Sequence, residues 1–187
     1  MMELEPLIGE PLALDLVNTR PVGGDLLETP EQLGNWLRLE GDRLPATVNA
    51  DPGPAELAAV RAVREHTAAV LDALLREGRP PAAALRGLYE AQSAAPAVRR
   101  LDWNGATLTA APRRIGDPTA RLAATLADAA VDLLTDPAFA RVKRCAADDC
   151  VMLFLPAHPR RQWCSPDRCG NRARVARYYQ RHKGDAR

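Results

Sequence analysis

The chemistry-bearing residues of this chain gather near one end. Cys145 and Cys150 are separated by four residues, and so are Cys164 and Cys169, with thirteen residues between the pairs. No cysteine lies elsewhere. Thiolates are soft, charged ligands, and two close pairs joined by a longer excursion have the spacing of a tetrahedral Zn²⁺ site. Each short gap lets one turn aim two sulfurs at the same ion. A four-sulfur shell has no open position, so such an ion is structural, not catalytic. Four unrelated thiols, or iron in place of zinc, are the alternatives that spacing alone leaves open.

The residues around the cysteines predict how they are positioned. Val151–Leu155 is a short apolar run suited to a strand, and Pro156-Ala-His-Pro159 is a turn signal. Ser165 followed by Pro166 predicts a helix start, with the helix running to about Lys183 and stopping at Gly184. Cys164 then lies just before a helix cap and Cys169 on its first turn, where the helix dipole favours thiolates. The order suits a treble-clef finger. Four thiolates on Zn²⁺ leave a charge of about −2, which Arg144, Arg161, Arg168 and Arg172 are placed to offset.

Cys169-Gly-Asn-Arg172 after a four-residue gap resembles the CGNR zinc finger. Gly9-Glu-Pro-Leu-Ala-Leu-Asp-Leu-Val-Asn-Thr19 resembles the opening of the ABATE domain that usually precedes that finger. The resemblance implies a mostly helical N-terminal domain and a zinc-bound finger that binds DNA. It further implies a role in stress-linked transcriptional regulation.

Composition sets the frame. Among 187 residues, 47% hydrophobic content with only 4% aromatics predicts a core of Leu, Val and Ala in closely packed helices. Glu3, Glu5, Glu10 and Asp15 in the opening stretch argue against a signal peptide, and no apolar run is long enough for a membrane span. Thiols arranged for metal then point to a reducing cytoplasm. The net charge of +1 is unevenly spread. Residues 141–187 hold twelve Lys/Arg against four Asp/Glu, and residues 1–140 hold thirteen against twenty. An acidic body and a basic module are expected, the basic part meeting a polyanion or docking on the body itself.

Along the body, the segment from Glu10 to Asn18 fits a strand or a short helix, and Pro11 favours the helix. Its polar members Asp15, Asn18 and Thr19 either line a ligand pocket or cap and anchor the segment. Thr29-Pro30-Glu31-Gln32 is a capping box with Trp36 in the stripe behind it. Apolar residues at three-and-four spacing predict a long helix over about 54–77, with Arg61, Arg64 and Glu65 on its other faces. A further helix follows Pro81. Asn104-Gly105 between two β-rich runs predicts a hairpin with a type I′ turn. Asp117-Pro118 opens one more helix, and Asp136-Pro137 a short piece before the finger. The expected architecture is mainly α: a helical ABATE-like domain with one β-hairpin over residues 1–140, for sensing or dimerisation, then a small finger over 141–187.

On a helical wheel, Arg174, Arg177 and Arg181 share about one third of the circumference, with Val175 and Tyr179 nearly opposite, facing the knuckle. Together with Arg160, Arg161, Asn171 and Lys183 they form a candidate nucleic-acid surface. Arg172 is equally suited to DNA and to supporting the knuckle. The expected function is a zinc-finger DNA-binding transcriptional regulator with one structural Zn²⁺, an effector acting on the body, and a homodimeric state suited to a finger that reads few base pairs. A zinc-stabilised module that docks an acidic protein partner is the alternative. No triad motif, phosphate loop or His-rich cluster suggests an enzyme.

Overall fold

The structure, a computed structural model, describes residues 6–48 and 51–182, with side chains followed as far as Tyr179. The chain opens with a short helix, α1 (Leu12–Val17), preceded by Pro11 and stopped at Asn18. Ala13, Leu14 and Leu16 are buried, so this helix is central despite its length. Helix α2 (Pro30–Leu39) carries the expected capping box: Gln32 N donates to Thr29 Oγ1, and the Gln32 side chain accepts from Thr29 N. Leu33, Trp36 and Leu37 form its inner face.

Three helices make the centre of the body. Helix α3 (Pro54–Leu75) buries Leu57, Val60, Val63, Val70 and Leu71. Helix α4 (Ala82–Ala94) and helix α5 (Pro118–Thr135) pack on it and on each other. Helix α5 begins where Asp117 accepts from Ala120 N, with Pro118 in the first turn. Its inner face is rich in alanine, with Ala123, Ala124, Ala127 and Ala130 all buried, which lets the helices approach closely. Helix α4 gains the same closeness from Gly87, where a Cβ would overlap the imidazole of His66. Each fully buried leucine of this core contributes on the order of 1.5–3 kcal/mol.

Between α4 and α5 stands a hairpin, β1 (Ala97–Trp103) with β2 (Leu108–Arg114), antiparallel with Trp103 opposite Leu108. The turn is longer than the expected two-residue type I′. Four residues, 104–107, connect the strands, and among them only Gly105 has a positive φ. The Asn104 side chain explains this, because its Oδ1 accepts from both Ala106 N and Thr107 N and closes a wider loop.

The C-terminal part begins after a 3₁₀ turn at Pro137–Arg141. Strands β3 (Lys143–Arg144) and β4 (Leu153–Phe154) pair antiparallel, a π-type turn covers Pro166–Gly170, and helix α6 spans Asn171–His182. The helix start expected at Pro166 is therefore a wider turn that only tightens at Asn171. Among the described residues, no helix is long and apolar enough to cross a membrane.

Candidate metal centre and the basic helix

Backbone hydrogen bonds shape the two turns that carry the cysteines. Cys145 N donates to Met152 O and Cys150 N to Ala147 O, which curls the first turn. Ala146 N donates to Gln162 O, which brings the second turn alongside. Ser165 accepts from Arg168 N, and Pro166 opens the wide turn that presents Cys169. Gly170 is buried against the Trp163 ring, which a Cβ there would crowd.

All four sulfurs lie within 4.8 Å of one another. Cys164 Sγ is 3.8 Å from Cys150 Sγ and 3.6 Å from Cys169 Sγ. Ligands of a tetrahedral Zn²⁺ with bonds of about 2.3 Å lie about 3.8 Å apart, so the donor set and its spacing fit one such ion. Electrostatics agree. Burial first, and then the neighbouring sulfurs, pushes Cys150 up to about 11 and Cys164 well above the usual thiol range. Four thiolates at this separation repel one another, and a divalent cation reverses that sign. At Cys145 burial acts the same way, but N–H donors at Cys164 and Ala147 outweigh it and hold the thiol below its ordinary value. The ion would be held by Cys145, Cys150, Cys164 and Cys169 and would supply cross-linking alone.

The arginines around the site divide by task. Arg172 donates to Cys169 Sγ at 3.3 Å and to Asp149 at 2.7 Å, so it supports the sulfur cluster. Arg161 faces inward: it bonds Glu10 and the Cys164 carbonyl, each at 2.6 Å, and lies 4.5 Å over the Phe154 ring. Arg144 pairs with Asp72 of α3 at 2.5 Å. Arg160, Asn171 and Arg174 are exposed. Arg177 is exposed too, with its Nε donating to Ala173 O of its own helix. Arg181 lies on α6 beyond the described side chains, and Lys183 lies outside the described residues.

Helix α6 departs from expectation on its apolar side. Val175 and Tyr179, expected against the knuckle, are 47% and 63% exposed. Their place beside the sulfurs is taken by Trp163 and Leu7, which pack on the cluster of Met152, Phe154 and the cysteines. The wide turn at Pro166–Gly170 carries α6 outward, with Tyr178 against Tyr179 edge to face.

The polar residues near the start of the chain lie beside the finger. Asn18 Nδ2 donates to Leu153 O at 2.8 Å, and Asn18 Oδ1 accepts from Leu153 N at 2.9 Å. Glu10, 8% exposed, accepts from Leu155 N and from Arg161. Asp15 accepts from Gly9 N, Glu10 N and Arg43, fixing the turn that aims Glu10. Thr19 accepts from Arg64, which is itself buried and bidentate to Asp25 at 2.6 Å. Asp15, Asn18 and Thr19 are thus each engaged by the protein's own groups. Apolar periodicity alone places Arg64 on an outer face of its helix, and nothing local in the sequence ties Glu10 to the finger. Their partners are 39 and 145 or more residues away, and periodicity carries no signal for such pairs.

Comparison with known families adds two matches. The profile of the ABATE family, described as "Putative stress-induced transcription regulator", matches residues 10–137. That of the CGNR zinc finger matches residues 141–182. No protein with a curated description matches the chain.

Proposed function

On the premise that the chain belongs to the ABATE family and carries a CGNR zinc finger, we propose that it is a DNA-binding transcriptional regulator. In this reading residues 1–140 form the sensing and dimerising body, residues 141–187 the DNA-reading module, and the work is binding, not catalysis. The observation that carries it is α6: a helix anchored at its start through Cys169, standing outward with Arg174 and Arg177 exposed. Arginine on an outward helix suits bidentate contacts to phosphate or guanine. Arg160, Asn171, Arg181 and Lys183 would extend the surface. Arg161 and Arg172 would act on it indirectly, by fixing the knuckle. A zinc-thiolate regulator of this kind belongs in the reducing cytoplasm.

An effector would not sit at Asp15, Asn18 and Thr19, whose polar groups are committed. A cleft of about 500 Å³ between residues 45–48 with Pro52, the root of β2 and α5 is better suited. Pro45, Val48, Pro112 and Leu122 give it apolar walls, and Arg113, Arg114 and Arg121 outnumber Glu56 and Asp128 around it, so a small molecule with an anionic group fits its chemistry.

The test is fluorescence anisotropy of the zinc-loaded full chain on duplex DNA from about 50 to 200 mM salt. Four to six phosphate contacts give a slope of log K against log salt of about −4 to −5. An affinity indifferent to salt refutes the phosphate-driven account. Arg174→Glu with Arg177→Glu should weaken binding at least about tenfold while zinc content is unchanged. If that variant keeps DNA affinity and loses a protein complex, the finger reads an acidic protein instead.

A further inference from the structure

The hairpin carries chemistry that the DNA-binding reading does not use. Leu101, Trp103 and Leu108 are 68%, 64% and 67% exposed, an unusual load of apolar surface on two strands. With the register fixed, side chains opposite one another share a face, so these three join Ala110 and Pro112 in one largely apolar row, with Arg99 beside Pro112. Arg114 lies on the same face and reaches Thr125 and Asp128 of α5. The row therefore looks toward the side on which the body lies, while Arg100 and Asp102 occupy the other face.

The two edges of this ribbon differ. At its ends, Ile115 N donates to Pro96 O and Asn104 N to Thr107 O. Ladder bonds alternate along an antiparallel pair, so even-numbered residues of β1 bond β2. The N–H and C=O groups of Arg99, Leu101 and Trp103 then point out along the free edge. On β2 the outward groups include position 112, a proline with no N–H to give. One edge is blocked and one is open.

We propose that a second copy of this chain pairs antiparallel along the open edge of β1, forming a four-stranded sheet about a two-fold axis at Leu101. Backbone alternation allows only registers that place odd residues opposite odd residues. Centring on Arg100 or on Asp102 sets like charges opposite one another across the axis. Centring on Leu101 sets Arg100 opposite Asp102 of the second copy, twice by symmetry, and Arg99 opposite Trp103. Within one chain Arg100 and Asp102 already lie 3.4 Å apart on that face, so the charges have the right reach. The axis is perpendicular to the sheet, so both apolar rows stay on one side and become continuous. This deepens the dimeric part of the reading above and is independent of its DNA-binding part.

Sedimentation velocity of the zinc-loaded full chain without DNA, across micromolar concentrations, tests it. The wild type should be a dimer. Asp102→Arg should raise the dimer dissociation constant about tenfold or more, because both symmetry-related pairs become repulsive. The swap Arg100→Asp with Asp102→Arg should restore it, which a merely unfolded hairpin could not do. A monomeric wild type overturns both the proposal and the dimeric part of the functional reading. A dimer indifferent to Asp102→Arg, or not restored by the swap, overturns the proposed surface while leaving a dimer by another route.

Discussion

The helices from Leu12 to Thr135 close on an aliphatic core that includes Leu14, Leu16, Val60, Leu71 and Leu126, each at most 1% exposed. The segment from Lys143 to His182 buries far less: its own cluster is Met152, Phe154 and three of its cysteines, with Trp163 at the edge, while Leu153 turns into the body's core. Its two strands have two residues each. A stretch of that size cannot bury enough apolar surface to offset the entropy of ordering its turns, and a metal cross-link supplies the difference. The difference extends to polar groups. The body keeps buried ion pairs within itself, at Arg64–Asp25 and at Arg43–Asp15–Glu40. The finger instead borrows Glu10 and Asn18 from the body.

The largest effect should come from the metal. Chelation, or Cys164→Ser, should unfold residues 143–182 and leave the body's helices standing, since structural zinc contributes about 10–16 kcal/mol to sites of this class. Metal content, circular dichroism and limited proteolysis read it. A chelated chain whose knuckle stays protease-resistant breaks the contrast. Next is Arg64→Met, which takes the bidentate partner from the Asp25 carboxylate, leaves it Leu27 N and Arg61 at 3.8 Å, and should cost the body about 3 kcal/mol in urea unfolding, with one zinc still bound. Asn18→Ala leaves Leu153 N and O without their partner and should cost about 2–3 kcal/mol. It should also split one calorimetric transition into two, and a single unshifted transition would mean the two regions are not coupled there. The smallest effect concerns pH. Burial, then the charge of Asp15, pushes Glu40 up to about 7. A carboxyl that holds its proton more tightly when folded contributes its full stability below the ordinary value of 4.5 and loses it as pH rises through about 7. Glu40→Gln should therefore gain on the wild type by about 1–3 °C in Tm between pH 5 and pH 8.

Much of this is legible in the amino-acid sequence alone. Thr29 with Gln32, Asp117 with Pro118 and the stripe of α3 are local signals, read within a few residues of themselves. The sulfur site was legible for the same reason, because each pair of ligands sits on one turn. Hidden were the relations across sequence: Asn18 with Leu153 is separated by 135 residues, and Arg64 looks from its own helix like another surface cation. The hairpin turn misled because Asn104 has two options, a left-handed backbone or a side-chain acceptor, and the N–H groups of Ala106 and Thr107 decided between them. The outward swing of α6 was hidden too, since a wheel fixes which residues share a face and not what the face meets.

The carboxamide of Asn18 gives one hydrogen to the carbonyl of Leu153 and takes one from the N–H of that same residue, so β4 has on its outer side a third strand one residue long. Glutamine would overreach by a methylene, and aspartate would set its charge against the Leu153 carbonyl. A finger cut free of its body would lose this cover and bare a row of peptide groups. Such a fragment should stack on copies of itself, so the finger is not a portable cassette unless the amide travels with it.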